Sequence, residues 1–394
     1  MPDHPGPEDD GVSVDSIYFS REATAFRKRT RQFLHRHVVP RLDEWERDRR
    51  IPRETWKLLA GEGLLGLHHP SAYGGGERPF FHSVAYLEEL GRLGHGGFRG
   101  AMSVHSYMAT AYLQLAGDHG QKLRYLKPAV EGDMIAALAI TEPQAGSDVS
   151  GIGCQARATG DGYTVRGTKA FVTNGMNADF LVTAVRTAGG PATGSAGISL
   201  LVVDARAPGV TRTPVDTLGW HCSDIATVRF DDVLVPGRNR LGRENTGFVW
   251  IMKAFQLERL AAAVLAIGEA DCALELARRY TGERRVFGQV LASHQVVRHR
   301  LAELVSHVEA ARQLTYHAAW LHDRGKLAMS ECAMAKLRAT ELAVDVTSQC
   351  LQLFGGRGYL AEAPIARLFR DTRLDTIAGG ASEIMREIIA DTDL

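Results

Sequence analysis

Net charge is what this chain most plainly lacks. Lys+Arg and Asp+Glu both number 46 in 394 residues, so no overall field draws it to nucleic acid or to an acidic partner. Cysteine is scarce: five residues, at 154, 222, 272, 332 and 350, with no CxxC or CxxH among them. That spacing argues against a disulfide framework and against a metal site, and it reads as a reduced, cytoplasmic compartment. No apolar run of membrane length escapes interruption by charge, and no signal peptide opens the chain, so a membrane protein is not expected. Internal repeats and low-complexity tracts are missing too. What remains is an ordinary globular composition, 45% hydrophobic and 23% charged, long enough to bury a large core in two or three domains.

The texture of the chain changes twice. Residues 1–17 begin with a Pro-, Gly- and Asp-rich stretch that reads as a frayed tail. From 18 to 133 the periodicity is helical, with helices expected over Phe19–Val39, Glu54–Ala60, Phe80–Leu93, Gly100–Leu115 and Lys122–Val130. Arg27, Lys28, Arg29 and Arg31 read as a solvated helix face, SAYGGG (71–76) as a loop, and His105 as a core or helix-end residue without chemistry. From 134 to 246 Val, Thr and Ile alternate with polar residues between regular turns, which marks a compact β domain. Strands are expected over Tyr163–Asn174, Phe180–Arg186, Ile198–Asp204 and Ala226–Phe230, with GGPATG (189–194) as an exposed connection. Long helical segments fill 247–394: Phe248–Tyr280, Leu291–Leu321 and Glu331–Phe354. The fold class is therefore α+β and multidomain, in the order α, β, α.

One stretch stands out, GFVWIMKAFQLERLAAAVLAI (247–267). Apolar residues occupy nearly every face of it, so it should be a core helix with neighbours all round. Glu258 and Arg259 are foreign to such a run. They must be paired, held by hydrogen bonds, or kept for chemistry. The bland reading is a structural ion pair, or a register that brings both to the surface.

Further motifs accompany it. ITEPQAGSD (140–148) is a turn of small and hydroxylic residues able to present backbone N–H groups and hydroxyls to an acceptor-rich ligand or phosphate. KAFVTNG (169–175), FDDVLVP (230–236), LERL (257–260), RRVFG (284–288) with His294-Gln295, QLFGGRGY (352–359) and RDTRLDTIAGGASEIMR (370–386) follow in order. With these segments in register, the sequence resembles the acyl-CoA dehydrogenase family over about residues 18–390. The resemblance implies a helical N-terminal domain, a middle β-barrel and a C-terminal four-helix bundle. It also implies FAD as cofactor and a homotetramer (or homodimer) in which a neighbouring subunit helps to hold it. An acyl-CoA or acyl-carrier-protein thioester is the implied substrate, and an electron-transferring flavoprotein the implied oxidant.

Residue by residue, the resemblance puts Ile140, Thr141, Gly146 and Ser147 beside the flavin and its pyrophosphate, and Phe171, Val172 and Thr173 beside the ring. Arg284, Phe287, His294 and Gln295 match the arm that reaches the neighbouring subunit's FAD. Gln352, Gly355 and Gly356 match a glycine turn at the cofactor, and Ser382 and Glu383 the end of the last motif. Gln256, Arg259 and Ala378 match substrate-contacting positions. Each has a plain structural alternative: Phe171 as barrel core, Arg284 as a surface charge, Gly355 as a helix C-cap.

The departures are informative. Relatives usually carry Trp at position 171, Arg at 221 where His221 stands, and Tyr-Glu-Gly-Thr where this chain has Ala378-Gly379-Gly380-Ala381. The missing Glu is the family's catalytic base. Members resembling the isovaleryl and long-chain enzymes carry the base on the helix instead, at the site matched by Glu258. That implies FAD-dependent α,β-dehydrogenation, with Glu258 removing the α-proton, the Gly379 N–H holding the enolate oxygen, and hydride passing to flavin N5. Burial should favour the protonated acid and so suit it to carbon-acid chemistry, whereas Arg259 beside it would oppose this if it paired directly. Ala381 removes one hydroxyl from the cofactor shell. Two rivals stay open at this point: a flavin monooxygenase of the same fold, which needs no base in the loop, and a non-catalytic flavin-binding homologue.

Overall fold

The computed structural model describes residues 16–190 and 193–394; the tail expected over Met1–Asp15 lies outside them, as do two positions of the 189–194 connection. The chain divides into two compact units. One comprises Trp45–Arg78 and Gly100–Glu258. The other comprises the described residues up to Glu44, Pro79–Arg99 and Arg259–Leu394.

The first unit is built on an eight-stranded sheet. Its strands are β1 (Ala136–Ala139), β2 (Gln155–Thr159), β3 (Gly162–Val172), β4 (Phe180–Arg186), β5 (Ile198–Asp204), β6 (Val210–Pro214), β7 (Ala226–Pro236) and β8 (Arg240–Leu241). They run in the order β6-β7-β3-β2-β4-β5-β8, with β1 parallel to β4. Every residue of β4 is buried, and the period-two geometry of a strand explains how. Phe180, Val182 and Ala184 pack with Tyr112, Leu113, Tyr125, Leu126, Ile251 and Ala254 on one face. Leu181 and Val185 pack with Val165, Val228 and Phe230 on the other. A strand covered on both sides reads as one apolar run. β4 and β5 lie at their expected bounds. β7 continues past its expected end at Phe230, because Asp231 and Asp232 interrupt the alternation. Asp232 has φ 52°, and the register against β3 slips there, so the pair forms a bulge in a longer strand. The short strands β1 and β2 carry too few β-branched residues to have declared themselves.

Helix Gly100–Leu115 was expected in one piece. Instead Gly96–Ser103 and Thr110–Ala116 flank a wide π-helical segment, Val104–Ala109. Thr110 Oγ1 donates to the His105 carbonyl at 2.7 Å. His105 is buried, takes the Ala136 N–H on Nδ1 (3.1 Å) and sends Nε2 to the Ala129 carbonyl (3.1 Å). Burial lowers its pKa to about 4, so it is a neutral strut tying this helix to the start of β1.

Asp224 is the electrostatic weak point of this unit. It adopts φ 41°, accepts from the Met176 N–H at 3.1 Å, and burial pushes its pKa up to about 7. A carboxyl whose folded pKa exceeds its unfolded value destabilises the fold when ionised. The penalty is absent below about pH 4, grows as pH rises, and is complete above about pH 7. Asp224→Asn keeps the acceptor and tolerates the left-handed backbone. The variant should melt with wild type at pH 4 and roughly 2–4 °C above it at pH 8, by scanning calorimetry.

The second unit is helical. Gly247–Glu283 enters it at Arg259, and Gln295–Asp323, Met329–Phe354, Pro364–Thr372 and Ser382–Asp393 follow. Ala270, Ala273, Leu274, Leu304, Val308, Val346, Cys350, Ile365 and Leu368 form its core. Helices Arg21–His37 and Phe80–Arg92 join through buried charge. Glu88 accepts from Arg312 (2.9 Å) and Tyr316 (2.7 Å) and pairs with Arg27; Glu89 accepts both arms of Arg31 at 2.9 and 3.0 Å. The expected solvated basic face is thus corrected. Lys28 and Arg29 are exposed, whereas Arg27 and Arg31 turn inward to two carboxylates that water does not reach.

Candidate active site

In the sheet unit the turn after β1 and the end of β3 are fastened together. Lys169 is fully buried. Its ammonium donates to the Ile140 carbonyl (2.9 Å) and to Glu142 (2.7 Å). Glu142 also takes the backbone N–H groups of Gly153 (2.7 Å) and Cys154 (3.0 Å). Burial alone would raise the pKa of this carboxyl, but Lys169 and the N–H groups override it and hold it below the usual value. The Ala170 N–H donates to the Thr141 carbonyl at 2.9 Å. So two motifs nearly thirty residues apart, 140–148 and 169–175, form one surface. Ile140 and Val172 turn their side chains into the core; Thr141 and Thr173 are half-buried, and Gly146 and Ser147 are exposed.

Phe171 is the conspicuous member of this surface. Between the pairs Lys169↔Val228 and Val172↔Ala226, β3 carries one residue more than β7. The resulting bulge turns Phe171 to φ 54° and leaves its ring 66% exposed. A positive φ at an aromatic residue is strained, and the bulge turns this side chain out of the strand's packing. The barrel-core alternative for Phe171 is excluded.

Glu258 lies on the buried side of helix Gly247–Glu283, 3% exposed. The hydroxyl of Tyr112, itself fully buried, donates to its Oε1 at 3.0 Å. Tyr112 lies 146 residues earlier in the chain, and sequence reading missed it; a tyrosine among apolar neighbours reads as core. Hydrogen bonds to a charged group are worth about 1.5–3 kcal/mol, and this one fixes the carboxylate's orientation. Gln256 is half-buried and Arg259 buried.

The helical unit carries the other matched positions. The hairpin β9 (Arg285–Val286) and β10 (Gln289–Val290) puts Phe287 at its tip, 97% exposed, with Arg284 exposed at its base. His294 caps the next helix, half-buried, with no hydrogen-bond partner for Nε2 among the described residues; Gln295 opens that helix, exposed. Gln352, Gly355 and Gly356 are exposed at the end of Met329–Phe354. Gly355 has φ 56° and ψ −140°, a conformation closed to residues with a Cβ, so its backbone stays open to a ligand. Before the last helix, Gly379 and Gly380 follow one another at φ 64° and 98°. Nothing lies within 4 Å of where a Cβ on Gly379 would stand. Ala378 is exposed, Glu383 is exposed in the first turn of the last helix, and the buried hydroxyl of Ser382 has no partner among the described residues.

Comparison with known proteins accords with these features. Family models for the acyl-CoA dehydrogenase N-terminal, middle and C-terminal domains match residues 20–133, 137–233 and 245–393. The chain is 34% identical to the mitochondrial long-chain specific acyl-CoA dehydrogenase of Mus musculus, over 94% of this chain and 86% of that one. It is 33% identical to the mitochondrial isovaleryl-CoA dehydrogenase of Pongo abelii, over 97% and 90%. A crystal structure of a probable acyl CoA dehydrogenase from Mycobacterium abscessus superposes with a TM-score of 0.92 at 39% identity, covering 95% of this chain and 99% of that one. With its helical N-terminal, sheet-built middle and helical C-terminal domains, the chain belongs to the acyl-CoA dehydrogenase family.

Proposed function

We propose that this FAD-dependent oxidoreductase removes the α-proton of its acyl thioester with Glu258, the loop position having no carboxylate to offer. The observation that carries the reading is the buried Glu258 carboxylate, held by Tyr112, in a chain with glycine at 379. Dehydrogenation of an acyl thioester is the family's reaction, and FAD, when bound, supplies the hydride acceptor. The residues present fit that cofactor. The sheet unit offers the open ring of Phe171, the hydroxyls of Thr141, Ser147 and Thr173, and the bare backbone at Gly146. The helical unit offers the backbone at Gly355 and Gly356 and the unpartnered hydroxyl of Ser382.

The chain's own part in the reaction is acid–base and positional. A proton α to a thioester is acidic only if the enolate oxygen is held as charge develops. The Gly379 N–H, which survives the loss of the loop carboxylate, is the donor we assign to it. Glu258 must stand within hydrogen-bond reach of the α-proton, and Tyr112 keeps it from turning away. Tyr112→Phe should slow substrate-driven bleaching of the flavin by roughly tenfold, the loss expected for one hydrogen bond to a charged group, with FAD content unchanged by absorbance.

A carboxylate returned to the loop tests whether the base has moved. Gly379→Glu meets nothing within 4 Å of its new Cβ and costs about 1–2 kcal/mol for the left-handed backbone. In a Glu258→Gln background it should recover at least a tenth of the lost bleaching rate, measured by anaerobic stopped flow. The exposed Phe287 tip beside Arg284 is consistent with a homotetramer or homodimer in which this arm is covered by a neighbouring subunit. We also propose an electron-transferring flavoprotein as the oxidant. Anaerobic titration with acyl-CoA and acyl-carrier-protein thioesters of graded length tests the function and separates the two carriers. Failure of every thioester to bleach the flavin would refute it.

A further inference from the structure

We infer that Lys336 is a positioning residue for the loop 378–381, clamping the Gly380 carbonyl and thereby aiming the Gly379 N–H. The inference rests on the reading that this N–H holds the enolate oxygen. Lys336 lies on helix Met329–Phe354, 0% exposed, and its Nζ donates to the Gly380 carbonyl at 2.5 Å. Burial pulls its pKa down to about 8 against the pull of Asp375, with Arg259, Glu341 and Glu383 the other charges facing it. A cation kept in the interior at such cost needs a use.

The loop supplies one. Two successive glycines at positive φ have the greatest backbone freedom of any pair, and no side chain packs where a Cβ on Gly379 would stand. Met385 packs against Gly380, where a Cβ would lie 2.7 Å from its Cε, but nothing comparable meets Gly379, so the aim of its N–H depends on the tethers on either side. Its entry is tied by Asp375, which accepts from the buried Arg99 at 2.7 Å, while Arg99 is braced on Glu269 at 2.6 Å. The Ile377 and Ala378 N–H groups both close on the Leu374 carbonyl, at 2.9 and 2.8 Å. Its exit is tied by Lys336. Between the two anchors only Gly379 is left, and its N–H has no hydrogen-bond partner among the described residues. A free donor held rigidly from both sides is what a developing oxyanion requires.

The test uses Lys336→Met, with Lys336→Gln as a second variant whose shorter side chain falls short of Gly380. Amide hydrogen exchange is followed by mass spectrometry over residues 377–385, in the FAD-loaded and FAD-stripped proteins. Both variants should exchange at least about tenfold faster there, with the rest of the map unchanged. The second measurement is binding of a 3-oxoacyl-CoA series, which binds as enolate, against S-alkyl-CoA thioethers that have no carbonyl. Both variants should weaken the oxoacyl ligands by at least about tenfold and leave the thioethers alone. Wild-type exchange together with wild-type discrimination in the variants would overturn the assignment of Lys336. Wild type that itself fails to favour the enolate ligands would instead overturn the role of Gly379, whatever the exchange rates show.

Discussion

Glu258→Gln should retain FAD and its yellow spectrum, yet its flavin should bleach at least ~10²-fold more slowly with any thioester that reduces wild type, the usual scale of a lost general base. The amide is isosteric and still accepts from Tyr112, so folding and cofactor content should not move. The loss should fall on the rate of the reductive step and not on ligand affinity, because proton removal is felt only in the transition state. Anaerobic stopped flow at saturating thioester separates the two. An inert carboxylate buried for structure would give the opposite pattern: lower stability with unchanged bleaching.

Arg99→Met should be the most destabilising single change in the helical unit. Arg99 is buried between Glu269 and Asp375, at 2.6 and 2.7 Å. Burial raises the Glu269 pKa well above the ordinary carboxylate value, with Arg99 opposing it. Removing the cation takes away the guanidinium that bridges these two interior carboxylates, a change worth about 3–5 kcal/mol. Melting should drop by roughly 10 °C at pH 8. The deficit should shrink at pH 5, where the two acids take up protons more readily than they do in the unfolded chain. Arg99→Met combined with Glu269→Leu should recover part of it, since apolar replacements of a buried ionic cluster are often tolerated.

What could be read from the sequence divides along a physical line. Glu258 announced itself because a charge in an all-round apolar helix is a local anomaly. β4 and β5 did so because each is a short Val-, Leu- and Ile-rich run bounded by turns. Features made by distant partners were hidden. Arg27 and Arg31 looked solvated because nothing nearby reveals Glu88 and Glu89, which lie far along the chain. Lys336 reads as an ordinary polar position of a helix until Gly380 is brought beneath it. The bulge at Phe171 was invisible for a related reason: an extra residue shows only against the partner strand, and β7 lies some 55 residues downstream. Periodicity registers which face is apolar; it does not register what that face, or its few charges, will meet.

The most direct test of the central claim follows the proton without the redox step. A 3-thia-acyl-CoA is incubated in D2O with the FAD-loaded protein, and deuterium entering the α-carbon is counted by mass spectrometry. Wild type should exchange that position catalytically, while Glu258→Gln, equally yellow and equally well folded, should exchange it at least ~10²-fold more slowly. Exchange at the wild-type rate in Glu258→Gln would show that another group takes the proton.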